Sequence, residues 1–124
     1  SGPKDFLLEK DQCDNCKMSI SDPKFPVELI TQKGKIFIFD DIYCVLEYLK
    51  ENEEIKKNTK DIYLSDYLGA HDFINAETAH LYRSEEIHSP MGGNIAAFVS
   101  EENRNNTAKT FKGEVVSWKN LLQN

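Results

Sequence analysis

The stretch from Val27 to Ile42, VELITQKGKIFIFDDI, leaves the chain few ways to fold. Val27 to Thr31 reads as a strand, Lys33-Gly34 supplies a tight turn, and Ile36-Phe37-Ile38-Phe39 follows as a strand apolar on both faces. A strand apolar on both faces must be covered from both sides, so the hairpin has to lie inside a layered structure. Asp40-Asp41 then caps a helix from about Ile42 to Glu51, because short carboxylates accept hydrogen bonds from the free amides of a first turn. Ile42, Val45, Leu46 and Leu49 recur at helical spacing and form the stripe that faces the core. Residues 51–60, ENEEIKKNTK, read as a solvated charge run and turn, and Ile62 to Tyr67 as a third strand. The first half is thus β-β-α-β.

The second half repeats that rhythm. Ala79 to Arg83 and Ile95 to Val99 read as strands separated by the loop Ser89-Pro90-Met91-Gly92-Gly93. Ser100, followed by Glu101-Glu102, has the form of a helix N-cap, and Arg104, Ala108 and Phe111 share one side of the short helix it opens. Glu114 to Trp118 reads as a final strand, with Lys119 to Gln123 as a frayed helical end. The expected class is α+β, built from two ββαβ-like units. A flexible segment over residues 1–12 leads into a first lobe at 13–70 and a second at 71–124.

A chain of 124 residues, 40% hydrophobic and 29% charged, is long enough for one domain or two small lobes sharing a core. Its net charge of −6 argues against nucleic-acid binding, which needs clustered Lys and Arg. It contains no run of 18 apolar residues that would span a bilayer. The opening Ser1-Gly2-Pro3 has neither the charged nor the apolar region of a leader, which fits a trimmed targeting segment and says little about compartment.

Chemistry concentrates in Cys13-x-x-Cys16-x-Met18. A C-x-x-C turn lets two thiolates reach one ion at about 2.3 Å, and soft thiolate and thioether donors favour Cu(I) over hard cations. The methionine tilts the loop away from zinc, for which a thioether is a poor ligand. A Cys13–Cys16 disulfide or redox dithiol is the alternative. A thioredoxin-like dithiol, however, needs C-x-x-C opening a helix, and Ser19-Ile20-Ser21-Asp22-Pro23 is unsuited to one. Met91, in a Pro/Gly loop, is a second candidate thioether ligand, and His88 lies three residues before it. Glycines there let the backbone come close to a second loop or a ligand. Cys44 sits off the apolar stripe of the first helix, either as a small buried hydrophobe or as the third thiol of a three-Cys site. His71 and His80 have no motif around them. Asp40-Asp41 with Asp66 would make a carboxylate cluster, but capping explains the pair more simply. No Ser-His-Asp set, phosphate loop or H-E-x-x-H pattern is present.

In order and spacing, these elements resemble the NosL copper-binding accessory proteins of nitrous oxide reductase, over roughly residues 13–122. The resemblance runs through Cys16-Lys17-Met18, Gly34-Lys35 into Phe39, Tyr63-Leu64-Ser65-Asp66 and Phe73-Ile74-Asn75-Ala76. It continues through Ala79-His80-Leu81-Tyr82, Met91-Gly92, Phe98 and the stretch from Gly113 to Trp118. It implies a duplicated ββαβ fold related to the organomercurial-lyase C-terminal region. It also implies a periplasmic, membrane-anchored lipoprotein that binds one Cu(I) without catalysis. Copper would pass to nitrous oxide reductase or a related extracytoplasmic copper enzyme, with help from a membrane ABC-transporter assembly. By motif the ligands would be Cys16, Met18 and Met91, with Cys13 and Cys44 as extra thiols. Two further readings stay open: a zinc-stabilised interaction module using Cys13, Cys16, Cys44 and a histidine, and a thiol-disulfide oxidoreductase using Cys13 and Cys16.

Overall fold

The structure, a computed structural model, describes Pro3 and residues 10–123. Most of the expected flexible segment, residues 1, 2 and 4–9, lies outside the described residues. Asp11 and Gln12 are tied down: the Ile20 amide donates to the Asp11 carbonyl at 2.9 Å, and Gln12 bridges Ser19.

Strands β1 (Val27–Thr31) and β2 (Ile36–Phe39) form the expected antiparallel hairpin, with Val27 opposite Phe39 and Ile30 opposite Ile36. Gly34 makes the turn at φ 91°, a conformation that costs glycine little and other residues much. Helix α1 (Ile42–Glu51) starts where the aspartates place it, with Asp41 as N-cap. Helix α2 (Glu53–Lys57) then occupies the stretch expected to be a charged turn. Its sequence explains the difference: Glu53 and Glu54 stand in the first turn and Lys56 and Lys57 in the last, each sign matching the helix dipole.

Strand β3 (Thr59–Ser65) pairs antiparallel with β1, and β4 (Phe73–Asn75) pairs with β3. The first sheet therefore runs β2-β1-β3-β4, with β4 contributed from beyond the boundary expected after residue 70. The second half gives β5 (His80–Arg83), β6 (Ile95–Phe98), α3 (Glu101–Ala108) and β7 (Glu114–Val116), in the order β6-β5-β7. In both sheets the first strand of the unit lies between the second and third, antiparallel to each. The two ββαβ units thus share one connectivity.

The last strand ends at Val116 rather than Trp118. Ser117 caps α4 (Trp118–Gln123), its hydroxyl accepting from the Asn120 amide at 3.2 Å, and the helix buries Trp118 and Leu121. These two side chains, with Leu81, Ile95 and Ala97 of the second unit, join Leu29, Phe39, Val45 and Leu49 of the first in one core. A smaller cluster of Phe25, Tyr82, Ile87, Ala96 and Phe98 lies beside it, edged by Tyr67 and Phe111. The units also meet through the backbone, where Asp66 bridges Ala97 in parallel and the Tyr67 amide donates to the Ala97 carbonyl at 2.8 Å. No helix among the described residues is long and apolar enough to cross a membrane.

Candidate metal centre

Residues 13–18 form a knuckle held by their own backbone. The Cys13 amide donates to the Met18 carbonyl and the Lys17 amide to the Cys13 carbonyl, both at 2.9 Å. Reversal at this point puts Lys17 at φ 70°, in the left-handed region. Asp14 ties the knuckle to β2, the outermost strand of its sheet: its amide donates to the Ile38 carbonyl and its carboxylate accepts from the Ile38 amide, each at 2.8 Å. Asn15 ties it to α1, its side-chain amide donating to Glu47 Oε1 at 2.7 Å. Groups that an edge strand would leave exposed are thereby used to fix the loop.

The knuckle aims the amides of Asn15 and Cys16 at Cys13 Sγ, each at 3.4 Å. From the other side, the first turn of α1 brings in Cys44. The sulfurs of Cys13, Cys16 and Cys44 lie within 4.8 Å of one another, Cys13 and Cys44 fully buried and Cys16 partly open. Two thiolates about 2.3 Å from one ion stand at most ~4.6 Å apart, so only a small contraction would bring the three onto a common centre. Hydrogen bonding from the Cys44 thiol, aided by the Cys16 and Asn15 amides, brings the Cys13 thiol down to about 5. Cys44, the donor, moves upward, first through that bond and then through burial. Burial also raises Cys16. Asp40, whose Oδ2 accepts from Cys16 Sγ at 3.8 Å, is pushed up to about 6 by burial and by the charge on Cys13. One negative charge shared among closely spaced sulfurs suits a cation.

Of the residues singled out in the sequence, the fold gathers the three cysteines. Met18 leaves the same knuckle and is 61% exposed. Met91 is partly buried against the core cluster that contains Cys13 and Cys44, and its amide donates to Asp41 Oδ2 at 3.0 Å. Both bends therefore reach the Asp40-Asp41 pair: the first through Cys16, the second through Met91. His88 is exposed, His71 sits at φ 61° with Nδ1 2.9 Å from the Asp66 carbonyl, and His80 lies on β5. Among the described residues, no histidine joins the thiol cluster, and no helix opens at Cys13–Cys16 as a thioredoxin-like dithiol requires.

Beyond capping α1, as its place in the sequence suggests, Asp41 has a second task. Its Oδ1 accepts from the Cys44 amide at 3.2 Å, while its Oδ2 accepts from Ser89 Oγ at 2.7 Å and from the Met91 and Gly93 amides. The signal lay in Gly92-Gly93. A Cβ on Gly93 would stand 3.1 Å from the Tyr43 nitrogen and 3.3 Å from Asp41 Oδ2, so a side chain there would crowd the close approach.

A model of the NosL family matches residues 6–124. Among solved structures, the crystal structure of the copper chaperone NosL from Shewanella denitrificans superposes with a TM-score of 0.75. At 21% identity, the match covers 95% of this chain and 96% of that one. No curated protein matches the chain.

Proposed function

The chain belongs to the NosL family, and from that premise we propose that it is a carrier that binds one Cu(I) and hands it on without catalytic turnover. The observation that supports this most is the gathering of three sulfurs with graded exposure: Cys13 and Cys44 buried, Cys16 partly open, Met18 exposed on the same knuckle. Thiolates and thioethers are the donors that Cu(I) prefers. A buried pair gives retention, while an open cysteine and an exposed thioether leave a side from which an incoming thiolate or imidazole displaces the protein ligands one at a time. Cys16 and Met18 form the exchange face in this reading, Cys13 and Cys44 the anchoring pair, and Met91 a second thioether from the opposite lobe. The recipient would be nitrous oxide reductase or a related extracytoplasmic copper enzyme, served through a membrane ABC-transporter assembly, with the carrier held outside the cytoplasmic membrane by a lipid anchor. The solved relative is a copper chaperone, which fits this assignment.

The test is anaerobic titration of the reduced protein with Cu(I) against a chromophoric chelator, with X-ray absorption to count sulfur neighbours. One equivalent in a sulfur shell is expected, together with a sharp loss of affinity in the Cys16→Ser/Met18→Ala double variant. Affinity near that of the parent chain in the double variant would remove the proposal. Zinc at one equivalent after purification, with unfolding on chelation, would replace it with a structural zinc site.

A further inference from the structure

Asp41 joins two parts of the chain that the connectivity keeps apart. On one side is the first turn of α1, whose Cys44 amide it caps; on the other is the loop 89–94, from the second unit. The residue is 1% exposed, and its carboxylate collects four donors: the Cys44, Met91 and Gly93 amides and the Ser89 hydroxyl. The loop is also knitted to itself. Ser89 Oγ accepts from the Asn94 amide at 2.7 Å, and Asn94 Oδ1 accepts from the Ser89 amide at 3.2 Å. It therefore docks as a preformed unit, with Gly93 pressed against Tyr43. A helix cap alone needs one of these bonds; the other three serve to hold the second loop.

We propose that Asp41 is a positioning residue of the copper site, a latch that holds the Met91 loop against the helix turn bearing Cys44 and so slows loss of the bound ion. The inference rests on the carrier reading. In the latched state, the loop is held to the helix turn that bears Cys44, and this fixes where Met91 sits relative to that turn. When the latch opens, the cysteines remain but Met91 is no longer held to the turn that bears Cys44. Supporting groups of this kind change metal affinity by about 10- to 100-fold when removed.

Three variants isolate the effect. Asp41→Asn turns one acceptor oxygen into a donor facing amides. Ser89→Ala removes the two bonds of Ser89 Oγ, the one it donates to Asp41 and the one it accepts from the Asn94 amide, and leaves the α1 cap in place. Ser100→Ala removes the equivalent cap of α3, where the hydroxyl accepts from the Asn103 amide at 3.1 Å, far along the chain from the cysteines. Each full-length protein is loaded with one Cu(I), and release to excess chromophoric chelator is timed while denaturant stability is recorded separately. About tenfold faster release is expected for Asp41→Asn and a smaller acceleration for Ser89→Ala, each still binding one equivalent. Ser100→Ala is expected to lose stability with no change in release. Parent-like release from both latch variants overturns the latch and leaves the carrier reading standing, as does equal acceleration by Ser100→Ala. Failure of the parent chain to take up Cu(I) overturns both.

Discussion

At the scale of single residues, the thiol cluster is made by backbone as much as by sulfur. Cys13 receives two amides because the chain reverses at Lys17, and that reversal requires φ 70° from a residue carrying a Cβ. A left-handed conformation costs a non-glycine residue about 1–2 kcal/mol, part of which glycine would return as lost flexibility. Lys17→Gly is therefore expected to stabilise the protein by ~0.5–1 kcal/mol in urea unfolding and to leave copper stoichiometry unchanged. A destabilised variant would mean that the lysine side chain matters more than the turn. Cys44 permits a sharper separation of roles. As a buried hydrophobe, its loss to alanine should cost about 1 kcal/mol, similar to other small deletions in a core. As a ligand, the same change should weaken Cu(I) binding at least roughly tenfold, beyond what so modest a stability change explains. Chelator competition and denaturant titration on Cys44→Ala measure the two effects independently, and a parent-like affinity would return Cys44 to the role of core filler.

At the scale of elements, what was legible in the sequence depended on whether its cause was local. The β1–β2 hairpin, its glycine turn and the start of α1 were readable because alternation, turn chemistry and capping all act within a few residues. Ser100 announced α3 in the same way. Helix α2 was missed although its charges obey the dipole, because a five-residue helix with no buried side chain has no apolar stripe to reveal it. Strand β4, at three residues, has no periodicity to read and exists because β3 offers it an edge. The site divides along the same line. Cys13, Cys16 and Met18 were visible as one motif, but the approach of Cys44 depends on how α1 packs over the knuckle, and the Asp41 latch depends on contact between two lobes. Gly113 is another position set by contact, for it begins the approach to β7 directly beside β5. A Cβ there would collide with the Arg83 carbonyl oxygen and crowd Ser84. Since neither backbone can yield without disturbing the Arg83–Glu114 pairing, Gly113→Ala is expected to cost about 1–3 kcal/mol, as overpacking does elsewhere. Unchanged thermal stability in that variant would show that the β5–β7 register is looser than this geometry.

At the scale of the whole molecule, two units of like connectivity share a core, so neither is expected to melt alone. Trp118, the chain's single tryptophan, belongs by sequence to the second unit but packs in the cluster with Leu29, Phe39 and Val45 of the first. Its fluorescence therefore reports on the seam between units, whereas far-UV circular dichroism reports on both sheets together. Coincident transitions by the two probes are expected, as for a single cooperative fold. Copper sharpens the test, because the three cysteines lie in the first unit and the proposed latch reaches into the second. A ligand that binds only the native state, at a free concentration about a thousand times its Kd, adds ~4 kcal/mol, which for a chain of this length raises Tm by roughly 15 °C. If the core is common to both units, that rise appears equally in the tryptophan and dichroism signals, and removal of Cu(I) by a chelator reverses both. If the units melt separately, copper lifts only part of the dichroism change and leaves a second step at the apo temperature, and the core joining Trp118 to the first sheet would not be the bond between the halves.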